Sequence, residues 1–218
     1  MSGAVNTPSQ ADRIDRLLNA VRVMPVVVIE DEAQAVPLAD ALMEGGVSCI
    51  EITLRTPAAL PAAERIARER PEMVLGTGTV LTEQDLRASR EAGAKFAVSP
   101  GLTPTLADAA RAVPDVPLLP GCATASEVMA AMEAGLTRLK FFPAETSGGA
   151  GAVKALAGPL PAARFCPTGG ITAERAKDYL GLPNVFCVGG SWVTPKDALR
   201  GGDWAAVTRL AKVASGAA

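Results

Sequence analysis

Short apolar runs recur along the chain at intervals of roughly twenty residues, and each is followed by an amphipathic stretch rich in alanine. The runs are continuous rather than alternating, which is typical of parallel strands that are buried on both faces of a sheet. The pattern therefore predicts eight strands. They cover residues 24–29, 49–54, 73–76, 96–99, 118–120, 138–142, 164–167 and 185–188.

Helices are predicted between these strands, and their ends carry characteristic residues. Thr82 and Thr124 each precede an acidic side chain by three residues, as in the capping box that begins many helices. Gly93 and Gly135 suit the left-handed position that ends a helix. The predicted helices cover residues 31–45, 57–70, 82–92, 103–112, 124–134, 149–157, 172–181 and 203–214, with an extra one at 10–21 before the first strand.

Repeated strand–helix units with an extra N-terminal helix predict an α/β fold, namely a (β/α)8 TIM barrel. The length of 218 residues suits one such domain, so we expect a single domain over residues 1–218 with a flexible tail at 1–9. The alternative is a doubly wound open sheet, which usually has a Gly-x-Gly-x-x-Gly turn after its first strand. Here that turn is Glu30-Asp31-Glu32, which is acidic and contains no glycine, so the closed barrel is favoured.

The overall charge argues against two classes of partner. The net charge is −2 and the isoelectric point is about 5.3. Nucleic acids and anionic membranes attract proteins with a basic excess, so we expect neither as a partner. The N-terminal segment has no apolar signal-peptide core, and the longest apolar run, at 23–29, is too short to span a bilayer. These features predict a cytoplasmic protein.

The chain contains no histidine, so the commonest general base and metal ligand are missing. Its four cysteines, Cys49, Cys122, Cys166 and Cys187, form no Cys-x-x-Cys pair and lie in or beside apolar runs. We therefore expect buried reduced thiols and no metal site. If the protein is an enzyme, an amine and carboxylates must carry the chemistry.

One lysine, Lys140, lies within the apolar run 138–142. Burying an ammonium group is costly unless it is paired or neutral, and a neutral amine can form a Schiff base with a carbonyl substrate. The alternative is a lysine whose side chain extends along the strand edge to solvent. Phe141, Phe142 and Pro143 follow directly and disfavour that path. Phe142 shares a strand face with Lys140, so we expect its ring beside the amine.

Three polar residues share one face of the second strand. Glu51, Thr53 and Arg55 are spaced by two residues, so their side chains point to the same side. Helices cover the outer face of a barrel, so charges directed outward would be buried as well. This favours a carboxylate and a guanidinium inside the barrel, toward the carboxyl ends of the strands where such enzymes build their active sites. The alternative directs these three residues outward and the intervening aliphatic residues inward.

Glycine-rich segments follow several other strands. Gly76-Thr77-Gly78-Thr79 follows the third strand, where glycines let a substrate approach the backbone and threonine hydroxyls can donate hydrogen bonds. Gly169-Gly170 and Gly189-Gly190 follow the seventh and eighth strands, where these barrels frequently bind phosphate, and Ser191 adds a hydroxyl. The alternative is that both glycine pairs form ordinary tight turns.

Six motifs in a fixed order resemble those of the 2-keto-3-deoxy-6-phosphogluconate (KDPG) and 4-hydroxy-2-oxoglutarate aldolase family. The resemblance runs from about residue 25 to the last helix, and the combination is specific although each motif alone is not. The motifs are Glu51-Ile52-Thr53-Leu54-Arg55-Thr56, Gly76-Thr77-Gly78-Thr79-Val80, Ser99-Pro100-Gly101, Lys140-Phe141-Phe142-Pro143-Ala144-Glu145, Pro167-Thr168-Gly169-Gly170-Ile171 and Gly189-Gly190-Ser191-Trp192.

The resemblance implies a homotrimeric (β/α)8 barrel that acts as a class I, Schiff-base aldolase without a cofactor or metal. Members cleave KDPG to pyruvate and glyceraldehyde 3-phosphate in the Entner–Doudoroff pathway, and many also cleave 4-hydroxy-2-oxoglutarate to pyruvate and glyoxylate. The configuration at C4 stays open, so the phosphogalactonate epimer is an alternative substrate. A sugar-phosphate isomerase or epimerase and a non-catalytic barrel that binds phosphorylated metabolites are further alternatives.

The resemblance also implies a role for each matching position. Lys140 matches the Schiff-base lysine and Glu51 the general acid/base, whose ionised form a nearby Arg55 would favour. The chain departs from the family where a lysine often follows the Gly-Gly pair at 148–149 more closely, so Lys154 is assigned no substrate role. The implied substrate-binding residues are Arg55, Thr79, Pro100, Phe142, Thr168, Gly169, Gly170, Gly190 and Ser191.

Overall fold

The structure, a computed structural model, describes residues 8–216 and consists of parallel strands that alternate with helices. The strands are β1 (Val23–Val27), β2 (Cys49–Thr53), β3 (Val74–Gly78), β4 (Phe96–Val98), β5 (Leu118–Leu119), β6 (Gly121–Cys122), β7 (Arg138–Phe141), β8 (Arg164–Pro167) and β9 (Val188–Gly190). The helices are α1 (Gln10–Leu18), α2 (Ala35–Glu44), α3 (Ala59–Glu69), α4 (Glu83–Glu91), α5 (Pro104–Ala112), α6 (Ala125–Glu133), α7 (Gly149–Leu156), α8 (Ala173–Leu180), α9 (Lys196–Gly201) and α10 (Trp204–Ser215), with a 3₁₀ turn at Glu32–Gln34.

Strand pairing closes the sheet into a barrel, which confirms the predicted fold class. The pairs from β5 through β4, β3, β2 and β1 to β9 are all parallel. The pairs β6–β7 and β7–β8 complete the other side, and bridges from Phe165 to Val185 and from Thr168 to Gly189 join β8 to the segment that carries β9. The predicted strand 118–120 corresponds to β5, and Pro120, which lacks an N–H group, separates it from β6, a two-residue strand that was not predicted.

Alternate side chains of β2 point in opposite directions. One set packs against the helices outside the barrel, and the other set points into the barrel interior. Ile50 and Ile52 of β2 lie in the apolar cluster between the sheet and the helices, with residues of α2 and α3. The adjacent Glu51 is also buried, and its contact with Lys140 on the opposite side of the barrel places it inside. The predicted inward orientation of Glu51 is therefore confirmed.

Helix α1 closes the amino-terminal end of the barrel, which confirms the extra helix. Ile14 and Leu18 are fully buried and belong to the same cluster as Phe96 of the barrel interior. The Gln10 side-chain amide donates hydrogen bonds to the carbonyls of Leu118 and Arg138 at the starts of two strands, at 2.8 and 2.9 Å. Of the predicted tail at 1–9, residues 1–7 lie outside the described residues, and Ser9 caps α1.

Local chemistry at the helix ends agrees with the sequence. Thr82 and Thr124 form the predicted capping boxes with Asp85 and Glu127. Gly93 and Gly135 adopt φ values of +81° and +82°, which glycine tolerates without steric cost. No helix in residues 8–216 is long and apolar enough to cross a membrane.

The eighth predicted strand is displaced in the structure. It was expected at 185–188, but β9 covers Val188–Gly190 and pairs with β1, while Val185 makes a single bridge. A Cβ atom at Gly189 would lie 2.9 Å from Cγ2 of Thr168, and one at Gly190 would overlap the ring of Trp192. These positions need glycine because neighbouring side chains occupy the space that a Cβ atom would take, and both glycines pair with β1 as part of the strand. The short helix α9 was not predicted.

Candidate active site

A buried ion pair spans the barrel interior. Nζ of Lys140 on β7 donates to the two carboxylate oxygens of Glu51 on β2, at 3.1 and 3.3 Å. Lys140 is 5% exposed and Glu51 is 1% exposed. Such a pair is stable only if each charge compensates the other, because an isolated buried charge is strongly unfavourable. An amine and a carboxylate able to exchange a proton are thereby held in direct contact.

Gly78, at the end of β3, provides the space for the carboxylate. A Cβ atom at this position would overlap Oε1 of Glu51 and would lie 2.7 Å from its Cδ and 2.8 Å from its Cγ. The sequence suggested that these glycines admit a substrate to the backbone. The structure adds a different requirement, since Gly78 lets the Glu51 side chain reach Lys140.

An aromatic ring lies beside the amine, as the strand pattern predicted. The centroid of the half-buried Phe142 ring is 5.5 Å from Nζ of Lys140. The same ring contacts the glycine turn after β8, because a Cβ atom at Gly169 would lie 3.2 Å from Cδ2 of Phe142. Phe142 therefore connects the ion pair to the loop after β8.

Arg55 and Thr79 form a second polar pair after β2 and β3. Nε of Arg55 donates to the Thr79 hydroxyl oxygen at 2.9 Å. Thr79 has a φ of +62°, a left-handed conformation that is unfavourable for a β-branched residue and is enriched at functional sites. Arg55 is exposed, and Lys140 rather than Arg55 is the cation that contacts Glu51. The Arg55 guanidinium therefore faces solvent in this arrangement.

Pro100 and Thr168 lie on strand ends that adjoin the lysine. A Cβ atom at Gly121 would overlap the carbonyl of Pro100, and Gly121 is the residue that pairs with Lys140. The buried Thr168 directly follows β8, and its hydroxyl donates to the Cys166 carbonyl at 3.3 Å. Both residues are thus close to the strand that carries the amine.

The two glycine pairs have different conformations. Gly169 and Gly170 have φ values of +106° and +76° in the loop after β8, where Gly170 is exposed. Gly190 is instead buried as the last residue of β9, and the exposed Ser191 follows it. Only the first pair forms a turn with two consecutive left-handed residues.

Three of the four buried cysteines are poor nucleophiles. Cys49 and Cys187 are fully buried, and desolvation raises the pKa of each well above its usual value, with Cys166 nearby raising it further. Burial raises the pKa of the Cys122 thiol to about 12. Thiols with such pKa values stay protonated at neutral pH and react slowly.

The sequence does not reveal a further polar contact near the loop after β8, in which one carboxylate binds two side chains. Glu145 contacts both Tyr179 and Arg175 of α8, at 2.6 Å in each case. In the sequence Glu145 only ends the motif that begins at Lys140, because an acidic residue that pairs with a distant arginine leaves no distinctive pattern. Within residues 8–216, no group of three or more Cys, Asp or Glu side chains is arranged to hold a metal ion.

We expect Gly78→Ala to lower kcat of a reaction that uses the Lys140–Glu51 pair by about 10²-fold, because the new methyl group displaces Glu51 from Lys140 and small displacements of reacting groups carry penalties of that size. Steady-state kinetics would measure the change. The strand backbone at this position accepts alanine, so the effect arises from the collision alone.

Gly151→Ala on α7 is the matched control, since a Cβ atom there meets nothing within 4 Å. It should leave kcat unchanged. Normal kcat in a folded Gly78→Ala protein would contradict the role of Gly78.

Comparisons with known proteins agree with this geometry. A sequence profile of the family described as KDPG and KHG aldolase matches residues 14–210. The 2-dehydro-3-deoxy-phosphogluconate aldolase of Pseudomonas aeruginosa is 49% identical over 209 residues, which cover 96% of this chain and 94% of the relative. The KHG/KDPG aldolase of Escherichia coli is 50% identical over 200 residues, covering 92% and 93%.

The fold is also similar to that of a solved KDPG aldolase structure. The KDPG aldolase of Legionella pneumophila, with pyruvate captured as a covalent carbinolamine intermediate, superimposes with a TM-score of 0.87 at 43% identity. The match covers 90% of this chain and 95% of the other. The buried amine–carboxylate pair on a closed barrel and the match over nearly the whole chain lead to one conclusion: this chain belongs to the KDPG and KHG aldolase family.

Proposed function

We propose that this protein is a class I aldolase that cleaves KDPG to pyruvate and glyceraldehyde 3-phosphate through a Schiff base on Lys140. The observation that carries the proposal is the buried contact between Lys140 and Glu51, at 3.1 Å. It joins a nucleophile to a proton acceptor in the interior of the barrel, where a carbonyl compound can react away from bulk water. The names of the relatives from Pseudomonas aeruginosa and Escherichia coli support this substrate.

Imine formation is the first step. The Lys140 ammonium transfers a proton to Glu51, and the neutral amine adds to the C2 ketone of the substrate. Glu51 returns protons as the carbinolamine loses water, which leaves an iminium ion on Nζ. The Phe142 ring lies beside this cation and excludes water from it.

Carbon–carbon cleavage follows because the iminium ion accepts electrons. Glu51, directly or through a water molecule, removes the proton of the C4 hydroxyl, and the C3–C4 bond breaks to release glyceraldehyde 3-phosphate. The electrons of the broken bond form a C2=C3 double bond and the iminium π electrons return to Nζ as a lone pair, which gives an enamine. Protonation at C3 gives the pyruvate imine, and its hydrolysis releases pyruvate and regenerates the amine.

We propose that Arg55 and Thr79 bind the substrate carboxylate, with Pro100 and Thr168 lining the pocket. The hydrogen bond from Arg55 to Thr79 fixes the guanidinium on one side and leaves its other donors available. An arginine presents paired N–H groups that match a carboxylate. This position lies directly after Gly78, on the strand end next to Glu51.

We propose that Gly169, Gly170, Gly190 and Ser191 bind the phosphate. Successive backbone N–H groups in a turn can form a concave site that suits an anion, and the glycines at 169 and 170 form such a turn with no side chain to cover it. The loop leads into α8, whose first turn adds a favourable dipole. The phosphate would thus lie at the opposite end of the substrate from Arg55.

A second substrate, 4-hydroxy-2-oxoglutarate, is supported by the KHG/KDPG name of the relative from Escherichia coli. The same imine chemistry would release glyoxylate and pyruvate. Comparing kcat/KM for KDPG, its C4 epimer and 4-hydroxy-2-oxoglutarate would rank the three substrates.

We further propose that the chain forms one domain and acts as a cytoplasmic homotrimer. The trimer follows from the family resemblance.

Borohydride reduction in the presence of pyruvate tests the proposed function. We expect one reduced pyruvate to become attached to Lys140, identified by peptide mass spectrometry, with parallel loss of activity. The reason is that borohydride reduces the iminium ion to a stable secondary amine.

The exposed Lys95 provides the control, because Lys95→Met should be trapped like the wild type. Attachment elsewhere than Lys140 would overturn the proposal. Activity that a chelator abolishes and a divalent ion restores would overturn it as well.

A further inference from the structure

Both carboxylate oxygens of Glu145 contact side chains of α8, so Glu145 connects the loop after β7 to that helix. Oε1 accepts a hydrogen bond of 2.6 Å from the hydroxyl of Tyr179, and Oε2 forms a 2.6 Å ion pair with Arg175. Both partners belong to α8, the helix that follows the glycine turn at Gly169 and Gly170. Glu145 itself lies five residues after Lys140 on the loop that leaves β7.

The glycine turn also contacts Glu145 directly. The Glu145 N–H donates to the Gly169 carbonyl at 3.1 Å, next to a 2.8 Å hydrogen bond from the Ala144 N–H to the Thr168 carbonyl. A Cβ atom at Gly170 would lie 3.0 Å from both Cβ and Cγ of Glu145. The aliphatic part of Glu145 therefore supports one side of the turn while its carboxylate holds the helix that follows.

The partners of Glu145 are built to hold the carboxylate in place. Tyr179 is 1% exposed, and burial together with the hydrogen bond to Glu145 raises its pKa, so its hydroxyl remains a donor. Arg175 is largely exposed but neutralises the charge of the half-buried carboxylate. A negative charge so close to an anion site would otherwise repel the ligand.

We propose that Glu145 is a positioning residue that fixes the Gly169–Gly170 turn for the phosphate group and so sets the preference for phosphorylated substrates. This inference rests on the proposed function. Glycine has more backbone freedom than any other residue, so two in succession need external contacts to hold one conformation. Glu145 supplies those contacts, and it lies beside the turn rather than beside the Lys140–Glu51 pair.

The test separates the phosphate from the imine chemistry. Cleavage of KDPG requires both the phosphate site and the imine site, whereas borohydride trapping of pyruvate requires only the imine site. For Glu145→Gln and Glu145→Ala, we expect KM for KDPG to rise by about tenfold or more, the size expected for ordering one or two residues on binding. The pyruvate concentration that gives half-maximal trapping should stay at the wild-type value.

Glu69→Gln is the matched control. Glu69 also pairs with arginines, but it ends α3 at the opposite end of the barrel, so KM should not change. Tyr179→Phe keeps the buried ring and removes one donor to Glu145, so it tests the same contact without truncating the loop. We expect a smaller rise in KM for KDPG and unchanged trapping.

Each outcome has a defined meaning. An unchanged or lower KM for KDPG in folded Glu145→Gln and Tyr179→Phe proteins would overturn the inference. An equal weakening of KDPG and of pyruvate trapping would overturn it too, since that indicates a general structural role. If the wild type is not trapped at all, the proposed function fails, and that result is visible before any variant is made.

Discussion

Lys140→Met should abolish aldol cleavage, with kcat reduced by on the order of 10⁴-fold to 10⁶-fold, the range seen when a central catalytic side chain is removed. Methionine preserves much of the length and apolar volume of lysine but cannot form an imine. Pyruvate release from KDPG, coupled to a dehydrogenase, would measure the loss. Borohydride and pyruvate should attach nothing to position 140 in this variant.

The same substitution should also destabilise the fold, which requires a control. It leaves the Glu51 carboxylate buried without its cation, and breaking such a pair costs about 3–5 kcal/mol. The double variant Lys140→Met/Glu51→Gln removes both charges, so its thermal stability should recover while its activity stays absent. Substantial cleavage by a folded Lys140→Met protein would exclude the Schiff-base mechanism.

Much of the barrel could be predicted because its strands are buried on both faces. The second strand is the clearest example, since continuous apolar residues predicted burial and the alternating Glu51 predicted an inward polar group. Ile52 packs toward the helices and Glu51 contacts Lys140, as this pattern requires. The capping threonines Thr82 and Thr124 were equally predictable, because a cap depends on residues only three positions apart.

The parts that could not be predicted depend on contacts between distant segments. Gly189 and Gly190 have the sequence pattern of a turn, yet they belong to a strand, and they are glycines because Thr168 and Trp192 fill the space beside them. Gly78 similarly owes its identity to Glu51, a residue on the neighbouring strand. A local pattern cannot distinguish a glycine that bends the chain from one that makes room for another side chain.

In the candidate site, too, the sequence predicted some contacts and not others. The predicted strand 138–142 placed Phe142 on the same face as Lys140, and the ring lies beside the amine although β7 ends at Phe141. The expectation that Arg55 would accompany Glu51 used the same spacing, but the strand ends after Thr53, and Arg55 turns to Thr79 instead. Spacing alone therefore does not decide where a side chain just beyond the end of a strand will lie.

Glu51→Gln should lower kcat by about 10²-fold to 10⁴-fold, the contribution expected from a general acid/base, while KM for KDPG changes little. Glutamine has nearly the same shape and can still accept a hydrogen bond from Lys140, so the shape of the substrate pocket is preserved, although the loss of the counter-charge of the buried lysine lowers stability. The amide cannot take the proton of the amine or of the C4 hydroxyl. Trapping of pyruvate by borohydride should therefore become slower yet reach the same final stoichiometry.

The rate of trapping distinguishes a proton-transfer role from a role in charge pairing alone. If Glu51 only stabilised the Lys140 ammonium, its removal would favour the neutral amine and trapping would become faster. If Glu51 transfers protons, trapping slows along with cleavage, because carbinolamine dehydration needs the same group. Glu30→Gln is the matched control, since Glu30 is an exposed carboxylate paired with Arg200 just beyond β1, and neither rate should change. Faster trapping with unchanged cleavage in Glu51→Gln would assign the proton transfers to another group.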